Sequence, residues 1–130
     1  MSRSLATIAA ACALLLSIPG HAAPGDMSVA EFLTRTESLQ ERGALAMFSS
    51  DLGVLRGEVE ASSTAYRARL AADRQAGRPA DSCPPPVGSA SINSDDLLRH
   101  MRTYPSARRS ALTVREAIAD MMRRRYPCPR

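Results

Sequence analysis

The chain has 130 residues, of which 45% are apolar, 23% charged and 4% aromatic, with no Trp. That is the balance of one small globular domain whose core must come from Leu, Val, Ile, Met and Ala. All 17 basic residues are Arg, so a Schiff-base lysine and a phosphate-loop lysine are both excluded.

The first 23 residues read MSRSLATIAAACALLLSIPGHAA. Arg3 supplies a positive start, and Leu5 to Leu16 form an apolar run of 12 residues. Pro19-Gly20 then breaks the run, and small residues stand at Gly20 and Ala22. This pattern predicts a secretory signal peptide over 1–22, cut after Ala22 or Ala23, followed by one domain over 23–130. The run is shorter than the ~20 apolar residues a membrane-spanning helix needs. Cys12 therefore leaves with the leader, and no stable membrane insertion follows its removal. The expected destination is the periplasm, with secretion as the other outcome. There Cys83 and Cys128, an even pair in an oxidising compartment, are expected to join.

Beyond the leader, Ser28 and Glu31 spell a capping box, with Met27 and Phe32 placed as its hydrophobic staple. Val29, Phe32, Leu33, Thr36 and Leu39 continue at helical spacing to a stop at Gly43. Residues 44–48 read as a short helical or irregular link. Ser49 or Ser50 caps a long second helix from about Asp51 to Ala76, with Leu52, Leu55, Val59, Ser62, Tyr66 and Leu70 on one face. Gly53 and Gly57 on this helix predict close packing against a neighbouring backbone, since each costs about 1 kcal/mol relative to Ala. An intrachain bundle and a homodimer would use the same apolar stripe, and the sequence leaves both open.

Residues 77–93 form a long loop that opens with Gly77-Arg78-Pro79 and contains the stiff run Pro84-Pro85-Pro86 beside Cys83. Asn93 or Ser94 caps a third helix, with Asp95 and Asp96 in its first turn and Leu97, Leu98 and Met101 inward. Tyr104-Pro105 ends it. Ser106 opens a fourth helix through about Arg125, with Ala111, Val114, Ile118, Met121 and Met122 buried. The expected fold is all-α: a bundle of about four helices stapled by one disulfide.

Charge is uneven. Pro24 to Leu98 carries 7 Arg against 11 acids, and Arg99 to Arg130 carries 9 Arg against 2 acids. Nucleic acid is not the expected partner, because aromatic stacking platforms are missing and a leader sends the chain elsewhere. No catalytic or metal-ligand pattern stands out, and no cofactor is implied. Past the leader, His100 is the single His, and Asp95-Asp96 point apart on a helix. The chain is read as a binder rather than an enzyme.

The second half resembles the Rap/Tai family, the periplasmic immunity proteins of type VI secretion. The resemblance rests on Cys83-Pro84, Leu97-Leu98, Tyr104-Pro105, Ala117-Ile118 and Tyr126-Pro127-Cys128, with Asp51 to Arg67 similar to an earlier Gly-containing helix. It implies an all-helical domain that binds a toxic cell-wall amidase delivered by a neighbour and occludes its cleft. Stiffness and charge in this chain, rather than the family, nominate the contact surface: the loop from Pro84, Pro85 and Pro86 to Asn93, and the cluster Arg99, Arg102, Arg108 and Arg109. The other reading is an envelope adaptor or small chaperone sharing the same helical domain.

Overall fold

A computed structural model describes residues 23–89 and 92–130. The expected leader over 1–22 lies outside them. Among the described residues there are five α-helices, one 3-10 helix and no strand. They run α1 (Val29–Arg42), a 3-10 turn (Gly43–Phe48), α2 (Ser50–Gln75), α3 (Ser94–Arg102), α4 (Ser106–Arg109) and α5 (Val114–Arg125). The all-α expectation and the Cys83–Cys128 bridge both hold, with Cα atoms 4.9 Å apart.

The helices α1, α2, α3 and α5 start where a short polar side chain satisfies an orphan amide, while α4 follows Pro105 without a side-chain cap. Ser28 Oγ accepts from Glu31 N, Ser49 Oγ from Asp51 N, and Asn93 Oδ1 from Asp96 N. The expected Ser28–Glu31 box forms only in that direction. The Glu31 carboxylate turns instead to Arg35 one turn on, at 2.8 Å. Arg35 also reaches Asp51 at 2.8 Å, tying α1 to the first turn of α2.

The fourth helix is not continuous. It breaks into a single turn, α4, and then α5, which begins one residue after Thr113. Thr113 and Glu116 form a complete capping box: Thr113 Oγ1 accepts from Glu116 N, and Glu116 Oε2 accepts from Thr113 N at 2.8 Å. The break has a second cause. Val29 N donates to Leu112 O and Val114 N to Met27 O, both at 2.8 Å, an isolated antiparallel bridge between Ser28 and Thr113. A helical backbone at 112–114 could not offer these groups to the N-terminal segment. Ala111 consequently lies exposed in the break rather than in the core.

The core is one cluster. Val29, Phe32, Leu33 and Leu39 enter it from α1, Leu55, Tyr66 and Leu70 from α2, and Leu97, Leu98 and Met101 from α3. Val114, Ala117, Ile118, Ala119, Met121 and Met122 enter from α5, which contacts α1, α2 and α3. Two expectations for α2 change. Glu58, at 4% exposure, is buried, while Leu52 and Val59 are only partly so. A Cβ added at Gly53 or Gly57 would meet nothing within 4 Å, so neither glycine packs against a neighbouring backbone.

Candidate functional site

An apolar groove opens between the N-terminal half of the domain and α3. Phe32 and Leu39 line it from α1, Leu52, Leu55 and Val59 from α2, Leu98 from α3 with Ile92 just before that helix, and Ile118, Met121 and Met122 from α5. Its volume is about 810 Å³. Arg56, Glu60, Arg67 and Asp95 stand around it, so an apolar interior meets a charged rim. That arrangement suits a surface that docks a protein side chain or helix.

The 3-10 turn meets the groove through one residue. Ala46 lines the groove, and its neighbours Leu45, Met47 and Phe48 are 71%, 79% and 88% exposed. The sequence favours this outcome. Arg42 ends α1, Gly43 follows with φ 55°, and Ser49 caps α2, so the turn between them is short, and of its apolar side chains only Ala46 packs against the core. Three large apolar side chains side by side in solvent are unusual on a lone small domain. From sequence, 44–48 reads only as a short helical or irregular link. The signal was its composition, ALAMF, in a link too short to bury it.

The loop nominated from sequence does reach this place at its far end, where Gly88, Ile92 and Asn93 line the groove. Pro84 and Pro85 are half-buried and Pro86 is exposed, and none of the three lines it. The loop is held from three directions: Cys83 N donates to Tyr126 O at 2.8 Å, the disulfide joins it to the C-terminus, and Arg67 reaches Pro85 O at 3.4 Å. Upstream, Tyr66 OH lies 2.6 Å from the buried Ser82 hydroxyl and donates to Asp81.

The four nominated arginines do not form one patch. Arg99 is exposed and pairs with Asp96 at 2.9 Å. Arg102 is exposed as well. Arg109 turns back on the end of α3, its Nε to Tyr104 O and its Nη2 to Arg102 O, each at 2.8 Å. It satisfies carbonyls that α3 leaves open at its C-terminus. Arg108 points elsewhere, into a second cleft between α2 and α5.

His100 is largely buried. Its side chain is 12% exposed, and Nε2 lies 2.9 Å from Tyr104 OH and 3.4 Å from Asp120 Oδ2. Burial pushes the imidazole below its ordinary value, against the attraction of Asp120 and with the help of Arg124. Tyr104 OH donates to Asp120 at 2.7 Å, and burial followed by that bond holds the phenol well above its ordinary value. Burial raises Asp120, but hydrogen bonds from Tyr104 and Arg124 outweigh it and keep the carboxyl low. A protonated phenol, an ionised carboxylate and a neutral imidazole thus clamp the end of α3 to α5.

No family model matches the chain, and no curated protein and no solved structure matches it.

Proposed function

We propose that the chain is an exported, immunity-type protein that binds a toxic secreted effector of the cell-wall amidase class and occludes it, with no chemistry of its own. The observation that carries the binding reading is the apolar groove together with Leu45, Met47 and Phe48, exposed in the turn whose Ala46 lines it. Exposed aromatic and aliphatic anchors beside a concave apolar surface are what a protein interface uses at its centre. The disulfide supports export, since such bonds persist in oxidising compartments. The choice of effector class rests on the resemblance to Rap/Tai proteins. The Pro84–Asn93 loop would border the contact at its Gly88–Asn93 end.

The second reading, a small envelope chaperone or adaptor, draws on the same surface. Met47, Met121 and Met122 give it adaptable side chains of the kind that promiscuous binders use. Affinity capture from an envelope extract with the disulfide-bonded protein separates the two. An immunity protein returns one stoichiometric partner, which a cell-wall hydrolysis assay shows to be inhibited. A chaperone returns many. Leu45→Ser/Phe48→Ser is expected to abolish capture while leaving the melting temperature within about 2 °C, because exposed positions contribute little to stability. Capture at full strength by that variant would remove the exposed 3-10 turn from the interface.

A further inference from the structure

The second cleft lies between the C-terminal half of α2 and the outer face of α5, with a volume of about 530 Å³. Arg69 comes to it from α2, Arg108 from α4, and Arg115, Arg123 and Arg124 from α5. On α5 the spacing of four between Arg115, Ala119 and Arg123 puts two guanidinium groups on either side of a small residue. Ala65, Leu112 and Ala119 make part of the lining apolar.

The cleft's own carboxylates are already engaged. Glu116 serves the Thr113 cap, and Asp120 takes Tyr104 and Arg124. The outer acids reach only some of the arginines. Asp81 lies 2.7 Å from Arg69 and 3.3 Å from Arg123, and Asp26 lies 3.3 Å from Arg115. Each such contact uses one or two of the several N–H donors that a guanidinium carries. The Arg108 guanidinium has no hydrogen-bonded or ionic partner among the described residues, while its backbone N donates to Pro105 O. The side chains of Arg69, Arg115, Arg123 and Arg124 are 43–69% exposed. Five cations thus face one concave surface with donors unused and part of that surface apolar.

We infer that this cleft is a second contact surface that takes an acidic segment of a protein partner, two or more Asp or Glu carboxylates spaced along one chain. Planar guanidinium forks match carboxylates, and the apolar lining accepts the methylene stems that carry them. A nucleic acid or other phosphate polymer fits less well. It needs a continuous basic track, and here Asp81, Glu116 and Asp120 interrupt the arginines. This inference deepens the binding reading above and rests on it for the source of the carboxylates.

The test uses hexaglutamate peptide as the probe and the arginine Nε–Hε NMR signals of the disulfide-bonded protein as the readout. Hexaglutamate should shift Arg108, Arg115 and Arg123 and leave Arg42 and Arg78 in place. Arg108→Glu/Arg124→Glu should weaken binding by about tenfold or more, since reversing charge at a contact repels the ligand as well as removing a donor. Arg99→Glu/Arg102→Glu, outside the cleft, should change it by less than about twofold. If the first double variant fails to fold, Arg108→Ala carries the same comparison. Equal losses from both double variants, uniform shifts over all arginines, or tighter binding of a DNA duplex, inorganic phosphate or phosphatidylglycerol vesicles would overturn the assignment. Hexaglutamate binding with no captured protein would sink the proposed function and leave the cleft. A captured partner whose affinity ignores Arg108→Glu/Arg124→Glu would do the reverse.

Discussion

Glu58 shows how far a single side chain can reach in this fold. Its Oε2 accepts from Gly25 N at 2.7 Å and its Oε1 from Met27 N at 2.9 Å, so one carboxylate on α2 fixes the segment that enters α1. Hydrogen bonds to a charged group are each worth about 1.5–3 kcal/mol. Glu58→Ala should therefore lower unfolding stability by about 3 kcal/mol in urea titration, through buried amides left without acceptors. Gly25 is fixed in the same place, with φ 100° and a position where a Cβ would fall 2.6 Å from Arg115 Nη2. None of this was legible in the sequence. Spacing along α2 admits 58 or 59 on the inner face, apolarity favours Val59, and the partners of Glu58 are backbone groups more than 30 residues away. The surroundings of His100 are hidden for a related reason: of its partners Tyr104 and Asp120, only the first is near in sequence. Its lowered value in the fold has a definite sign. The unfolded chain, with an imidazole near 6.5, binds more protons than the folded one below that pH. Stability is full above about 6.5 and is lost as pH falls through the lower, folded value. Asp120 and Glu116, also held low, extend the loss toward more acidic pH. The melting temperature should fall between pH 7.5 and 5, and His100→Gln should flatten that first step. A melting temperature unchanged across that range would remove His100 from the account.

At the scale of the elements, periodicity located α1, α2 and α3 to within a few residues, because each has an apolar stripe and a polar cap of its own. It failed at the fourth, where Ala111, Val114, Ile118 and Met121 keep helical spacing across a break. The stop was written in a different signal, Thr113 and Glu116 three apart, which is as clear a start as Ser28 and Glu31. A capping threonine is worth about 1 kcal/mol. Thr113→Ala should lower stability by about that amount in urea unfolding, and by more if the bridge to Val29 loosens with it. The glycines of α2 behave in the opposite way. Nothing crowds Gly53 or Gly57, both lie inside a helix, and neither has positive φ. Gly53→Ala and Gly57→Ala should each stabilise the chain by up to about 1 kcal/mol, read from the urea midpoint. A loss on either substitution would mean that the space around α2 is filled in solution, as a homodimer would fill it.

Over the whole molecule, the segments outside the long helices are fastened where the core cannot hold them. The N-terminal segment pairs with 112–114, Asp81 is held by Arg69 and Arg123, and Cys83 is joined to Cys128 beyond the end of α5. The compositional split between an acidic first part and a basic second part was visible from residue counts. Which arginines would share a surface was not, because Arg69 is brought to α5 by the packing of α2 against it and Arg108 by the short α4 turn that precedes it. The bridge was legible as an even pair of cysteines past the expected leader, and its energetic weight follows from its span. It encloses a sequence separation of 45 residues. Closing a loop of that length removes chain entropy from the unfolded state worth about 4 kcal/mol. That is a large fraction of what a domain of this size has, on the order of 5–10 kcal/mol. Cys83→Ser/Cys128→Ser should therefore lower unfolding stability by about 4 kcal/mol relative to the oxidised protein. Reduction should do the same to the unmutated chain and nothing to the variant. Because the effect acts mainly on the unfolded chain, the variant that remains folded should keep its groove. Its affinity for a captured partner should stay within about twofold, once the unfolded fraction is subtracted. A collapse of affinity in folded, bridge-free protein would instead mean that the disulfide positions the loop end at Gly88–Asn93 for binding.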